Sequence, residues 1–405
     1  MPARIANAYL IPANPFRPGA GHMPPYLAGR KEETEEFVRL LGQDVILENM
    51  VLTGLRGVGK TVLLDALKPR AIQSGWAWVG TDLAESTSVS EERLSIRLMT
   101  DLAVVTSPIV LPHEEKSSIH FLPEPREISL DYPTMQALYN QTPGLASDKL
   151  KAVLEFVWQC VKGKREHGVI FAYDEAQNLS DRTSKDEYPL SLLLDVSQSI
   201  QKKGIPFMLV LVGLPTLFPK LVAARTFAER MFRVVFLDRL SNNECRDAIL
   251  KPIEDAPGLF RPPEKMIRSI IDHSGGYPYF IQFICRELID RFQGEKPGPR
   301  ARARAMDSII RKLDNDFFAG RWARTTDRQR ELLSVVARLP NSEREFTPQE
   351  VVEKSKELLR KPFSRSHVSQ MFATLASIGL IYKNRHGKYS YAVPLLGRFI
   401  LRQPQ

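Results

Sequence analysis

One segment narrows the possible folds more than any other. The apolar run Asn49-Met-Val-Leu-Thr53 leads into Gly54-Leu-Arg-Gly-Val-Gly59-Lys60-Thr61, and that into the helix-patterned stretch Thr61-Val-Leu-Leu-Asp-Ala-Leu67. A buried strand, a glycine loop and a helix in direct succession give G-x-x-x-x-G-K-[ST] the context it needs. The residue types follow from phosphate chemistry. Gly57 and Gly59 let backbone N–H groups turn inward around phosphate oxygens with no Cβ in the way. The helix starting near Lys60 points its positive dipole end at the same place. Lys60 reaches the β- and γ-phosphates, and Thr61 offers a hydroxyl to Mg2+. The expected ligands are ATP and Mg2+, held by Gly54, Arg56, Gly57, Val58, Gly59, Lys60, Thr61 and Val62. The bland alternative is a chance glycine loop, which the strand and helix on either side argue against.

The rest of the chain supplies a setting for this loop. Apolar strand patterns recur at Trp76–Gly80, Val169–Tyr173 and Pro206–Val212, with helix-patterned stretches between them at about 86–102, 148–162 and 188–202. Strands alternating with helices predict a parallel, doubly wound α/β sheet. Residues 105–148 carry six prolines and little periodicity and read as an irregular insertion. After Asp238 the strand patterns stop, and helices at 241–255, 263–273 and 277–292 suggest a small lid. From about 325 the pattern is helix, helix, helix, then a hairpin turning at His386-Gly387, a winged-helix arrangement. The expected organisation is an arm (1–27), an ATPase core (28–238), a lid (239–293), a linker and helix (294–324) and a winged helix (325–405).

The strand Val169–Tyr173 ends in Asp174-Glu175. Asp174 is the expected partner of Mg2+ and Glu175 the group that polarises the attacking water. Any strand can end in an acidic helix cap; here the upstream glycine loop favours the functional reading. The next strand ends Val212-Gly-Leu-Pro-Thr216, with Gly213 or Leu214 where a polar residue would sense the γ-phosphate and Thr216 only a weak substitute. Slow hydrolysis is the expectation.

Taken together, Ala28-Gly-Arg30, Gly54–Thr61, Asp174-Glu175, Val212-Gly-Leu-Pro215, Ala228-Glu-Arg-Met-Phe232, Gly275-Gly-Tyr-Pro278 and the C-terminal pattern resemble the AAA+ P-loop ATPases of the origin-recognition/initiator type. Their ExeA-like and STAND-like relatives are also similar. The resemblance spans about residues 14–292 for core and lid. It implies that ATP sits between core and lid, that Gly29, Arg30 and Pro278 line the adenine pocket, and that Arg230 is an arginine finger completing a neighbour's site in a homo-oligomer. Arg225 is a rival for that role, and a surface helix charge is the plain alternative. The lid turn lacks the arginine usual in the initiator group, which moves the likeness toward the STAND-like branch.

Charge adds a partner. The chain carries +9 overall, and from Arg360 to Gln405 there are eight Lys/Arg and no Asp or Glu. Such a concentration suggests a polyanion, with nucleic acid the commonest and double-stranded DNA the expected partner here, or else a solvated face that aids solubility. In the stretch 364–378, Val368, Met371, Phe372 and Leu375 mark a buried face and leave Arg365, His367 and Gln370 for DNA; Lys383, Arg385 and Lys388 fall in the wing. The alternative is a signalling or defence ATPase whose winged helix docks an effector protein. Three scattered cysteines (Cys160, Cys245, Cys285), no secretory signal pattern and no long apolar window predict a reduced, cytoplasmic protein without a membrane span.

Overall fold

A computed structural model describes residues 13–19, 21–113, 126–163, 167–254, 256, 258–293, 295 and 297–403. The chain divides into two compact units, a sheet unit of residues 31–54 and 63–236 and a helical unit of residues 1–30, 55–62 and 237–405.

The sheet unit is built on five strands: β1 (Asn49–Gly54), β2 (Ala77–Val79), β5 (Val169–Tyr173), β6 (Phe207–Gly213) and β7 (Phe232–Leu237), in the order β2-β5-β6-β1-β7. β2 with β5, β5 with β6 and β6 with β1 are parallel. β1, β5 and β6 are buried along their whole length, which is why they read as unbroken apolar runs. Register aligns Thr53 with Gly213 and Tyr173 with Leu211, so the end of β6 lies between the ends of β1 and β5. Asn49 fixes the start of β1: its Oδ1 accepts from the Leu209 N–H at 2.7 Å and its amide donates to the Met231 carbonyl at 3.2 Å. Around the sheet lie α1 (Lys31–Leu41), α2 (Lys60–Gln73), α3 (Glu91–Thr106), α4 (Tyr132–Gln141), α5 (Ala146–Val161), α6 (Pro189–Lys202), α7 (Leu217–Ala224) and the short α8 (Ala228–Met231). Ser90 caps α3 by accepting from the Arg93 N–H.

The stretch 105–148 corrects the sequence reading. Its described residues hold an antiparallel hairpin, β3 (Val110–His113) with β4 (Arg126–Ser129), followed by α4, rather than irregular chain. Asp131 caps α4, Pro133 lies in its first turn where no N–H is needed, and Met135 and Tyr139 are buried. Prolines flanking these elements hid them.

The helical unit contains α9 (Asn242–Glu254), α10 (Glu264–Ser274), α11 (Pro278–Phe292), α12 (Pro299–Leu313), a π-helical turn at Asp314–Ala319, α13 (Gly320–Trp322), α14 (Asp327–Ala337), α15 (Pro348–Leu358), α16 (Arg365–Ser377), the antiparallel hairpin β8 (Ile381–Arg385) with β9 (Lys388–Tyr391), and α17 (Leu396–Arg402). α12 opens at Pro299, so much of the basic stretch expected as a linker is helical, and α17 follows the hairpin as an element the sequence pattern did not offer. One apolar core runs through the unit from Phe16 and the α9–α11 helices to Phe372 and Phe399. The N-terminal segment is tied to α11: Phe16 is buried, its carbonyl accepts from Arg286 at 3.0 Å, and Asn14 donates to the Asp290 carboxylate at 2.6 Å.

Candidate functional site

The glycine loop has the geometry its residue types demand. Gly57 and Gly59 have φ of +77° and +90°, the left-handed region that an L side chain enters only at a cost. α2 begins at Lys60, directly after the loop, and its first turn carries no acidic residue to compete with an anion. The Lys60 ammonium donates to the Leu55 carbonyl at 3.0 Å, folding its charge over the loop.

Three groups of the helical unit hold the loop. The Tyr279 N–H, in the first turn of α11, donates to the Gly57 carbonyl at 3.2 Å. Arg30 is buried, and its guanidinium donates to the Val58 carbonyl at 3.0 Å and to the Asp238 carbonyl at 2.8 Å. Val58 is itself buried. Gly29 and Arg30 both have positive φ, and a Cβ at Gly29 would come within 2.6 Å of the Glu244 carboxylate. Arg30 is therefore a clamp on the loop backbone. Pro278 starts α11 and so sets the position of the Tyr279 N–H.

The acidic pair sits at the end of β5. Asp174 is buried; its N–H donates to the Thr81 carbonyl at 3.3 Å, and its carbonyl accepts from Leu83 at 2.9 Å. Its Oδ1 accepts from the Glu175 N–H at 2.7 Å, and Glu175 has φ of +51°. A non-glycine residue held in that conformation is a known mark of functional turns. The sequence reading missed Gln177. Its side-chain amide donates to Glu175 Oε2, its Oε1 accepts from the Leu214 N–H at 3.1 Å, and its main-chain carbonyl accepts from Lys220 at 2.6 Å. Burial lowers the pKa of that lysine. A Cβ at Gly213 would lie 2.5 Å from Gln177 Oε1, so glycine is needed there for the carboxamide to approach. The end of β6 lacks a polar side chain, but a polar group from the neighbouring turn reaches it.

The sequence of residues 315–400 matches a family described only as a domain of unknown function (DUF8462). No curated protein matches the sequence. Solved structures do match in three dimensions. The Walker-type ATPase PABY2304 of Pyrococcus abyssi superposes with a TM-score of 0.56 at 15% identity, over 93% of this chain and 96% of that one. The ORC2 protein of Aeropyrum pernix in its ADP form superposes with a TM-score of 0.55 at 14% identity, over 95% of each chain. Its ADPNP–ADP complexes give 0.52 at 14% identity, also over 95% of each. The fold is that of the AAA+ P-loop ATPases.

On this AAA+ fold the two candidate finger residues part company. Arg225 makes a bidentate pair with Asp195 (2.8 and 2.6 Å) and donates to the Ser191 hydroxyl at 2.7 Å, and that hydroxyl donates to Asp181. The pairing raises its pKa. It is a tether between α6 and the end of α7. Arg230, on α8, is exposed and takes part in no ion pair among the described residues.

In the C-terminal segment, Ser364 caps α16 by accepting from the His367 N–H at 3.3 Å. Val368, Met371, Phe372 and Leu375 are buried, and Arg365, His367 and Gln370 are exposed. Lys383 on β8 is exposed as well. The hairpin charge is less free than the sequence implied. Glu345, outside the acid-free stretch, pairs with Arg385 at 2.7 Å and with Lys388 at 3.5 Å. The Arg385 guanidinium holds the Glu345 carboxyl below its ordinary pKa.

Proposed function

We propose that this chain binds ATP with Mg2+ through the 54–61 loop, hydrolyses it slowly, and acts as a nucleotide-dependent switch on double-stranded DNA. The observation that carries the ATP reading is the loop itself: two left-handed glycines opening onto a helix whose first residue is Lys60. Solved relatives of the same fold are described as a Walker-type ATPase and as ADP and ADPNP complexes, which supports the same ligand here. Thr61 and Asp174 are the proposed Mg2+ partners. Among the described residues no three His, Cys, Asp or Glu cluster as a metal cage, so the cation would draw its other ligands from phosphate and water. Glu175 is the proposed group that orients the attacking water, with its present hydrogen bond to Gln177 holding it back until ATP arrives. Arg230 is the proposed finger in an ATP-dependent homo-oligomer.

Calorimetric titration with Mg-ATP tests the ligand. A Lys60→Ala variant is expected to lose at least about tenfold in affinity, roughly 1.4 kcal/mol; unchanged affinity overturns the assignment.

The C-terminal helices and hairpin are proposed to form a winged helix that docks α16 on DNA through Arg365, His367 and Gln370, with Lys383 on the backbone. Duplex binding by the full chain at two salt concentrations, with and without ATP, tests this: no binding at low salt excludes it. The Glu345 pairing favours a second reading, in which this module docks an effector protein, because it removes two cations from the face DNA would meet.

A further inference from the structure

The segment after α12 is joined to the glycine loop through an aromatic contact. The π-helical turn at 314–319 places Phe317 against Tyr279, with ring centroids 5.2 Å apart. The Tyr279 N–H is the group bonded to the Gly57 carbonyl at 3.2 Å. Arg321 lies over the Phe317 ring at 4.9 Å and donates to the Phe317 carbonyl at 2.7 Å. A short run of contacts therefore leads from the loop to the Arg321 guanidinium. π-Turns of this kind insert a residue into a helix and recur at functional sites.

Charge gives this placement its meaning. Burial lowers the pKa of Arg321, and Arg56 and Arg324 lower it further. Arg56 is the exposed residue of the glycine loop. None of the ion pairs among the described residues takes Arg321, Arg56 or Arg324. Guanidiniums brought together without a carboxylate repel, and a bound anion removes that penalty. The nearest site for an anion is the loop that Arg56 belongs to. Lys60 and the loop N–H groups bind on one side of the β- and γ-phosphates, and the terminal phosphate, with its higher charge, has oxygens left for additional cations.

We propose that Arg321 binds the terminal phosphate of the nucleotide held by the 54–61 loop. The inference rests on the ATP reading above and adds a residue to it. Arg321 lies within residues 315–400, so the segment of unknown function supplies a nucleotide contact of its own. The lid turn Gly275–Pro278 has no arginine; Arg321 belongs to a different element, joined to the loop through Phe317 and Tyr279.

The test is calorimetric titration of the full chain with Mg-ATP and with Mg-ADP. Arg321→Gln, which keeps a donor for the Phe317 carbonyl, is expected to weaken ATP about tenfold and ADP less than about twofold. Arg321→Lys, which keeps the charge without the planar fork, falls between them. Thermal melts of both variants establish that they fold, and either one that does suffices. Equal loss for ATP and ADP, or no loss, overturns the proposal. So does a loss confined to duplex DNA binding without nucleotide, which would make Arg321 a DNA contact. If wild type fails to bind ATP, or Lys60→Ala binds it as wild type does, the ATP reading itself fails and this proposal with it.

Discussion

Arg30 offers an unusual test because two of its features oppose each other. Its guanidinium is buried and donates to the Val58 and Asp238 carbonyls at 3.0 and 2.8 Å. Its backbone sits at φ of +67°, where a Cβ is unfavourable. Hydrogen bonds from a charged group contribute about 1.5–3 kcal/mol each, so Arg30→Ala should cost the loop about 3–6 kcal/mol, less whatever water recovers. The left-handed backbone costs about 1–2 kcal/mol and persists in alanine. Glycine removes that strain but loosens the unfolded chain by about 0.4–1 kcal/mol. Arg30→Gly should therefore be less damaging than Arg30→Ala by about 0.5–1 kcal/mol, although it removes more of the side chain. Hydrogen exchange of a peptide spanning residues 50–64 reads the loop directly. Both variants should lose protection there, alanine more than glycine, and Mg-ATP affinity should fall in the same order. Equal protection in wild type and Arg30→Ala would refute the clamp, and glycine worse than alanine would refute the strain argument.

Two other outcomes are expected. Glu345→Gln frees Arg385 and Lys388 from an exposed, solvent-screened pairing; duplex DNA affinity should rise and the log–log salt slope steepen by about 1–2, whereas an unchanged slope would place the hairpin away from the DNA. Burial pushes the Cys245 thiol from 9.0 up to about 11, so the unfolded chain releases that proton at lower pH than the folded one. Its contribution is constant below about pH 9 and is lost as pH rises through about 11, at most about 3 kcal/mol; urea titrations of wild type and Cys245→Ala across that window should converge, and a constant difference between them would contradict the burial effect.

Why some features were readable from sequence and others were not has a physical basis. A phosphate loop needs backbone conformations that glycine alone adopts cheaply, a lysine at a helix start and a strand buried on both faces. Each requirement leaves a mark at consecutive positions, so the left-handed turns at Gly57 and Gly59 and the helix start at Lys60 could be read directly, as could the runs of β1, β5 and β6. The same local logic failed at 105–148, where prolines at the edges of a hairpin and in the first turn of α4 suppress the periodicity that would reveal them. It failed in a different way at the C-terminus. Counting charges along the chain separated Glu345 from Arg385 and Lys388 by some forty positions, whereas in space the three form one cluster.

Residues that support the loop are the hardest to find in this way, because their partners are backbone atoms far along the chain. The guanidinium of Arg30 meets carbonyls 28 and 208 positions away. Gln177 reaches Leu214 N–H 37 positions on, and only because Gly213 leaves room. Neither partner carries a side-chain signature, since every residue has a carbonyl and nearly every one an N–H. The family resemblance gave Arg30 a base-contacting role from its place in a box, and the fold adds a structural bond to the loop backbone. The loop is thus specified twice: by its own glycines, which permit the conformation, and by Arg30 and Tyr279, which select it. Substitutions at the glycines should abolish phosphate binding outright, whereas substitutions at the clamps should scale it down in proportion to the bonds they remove.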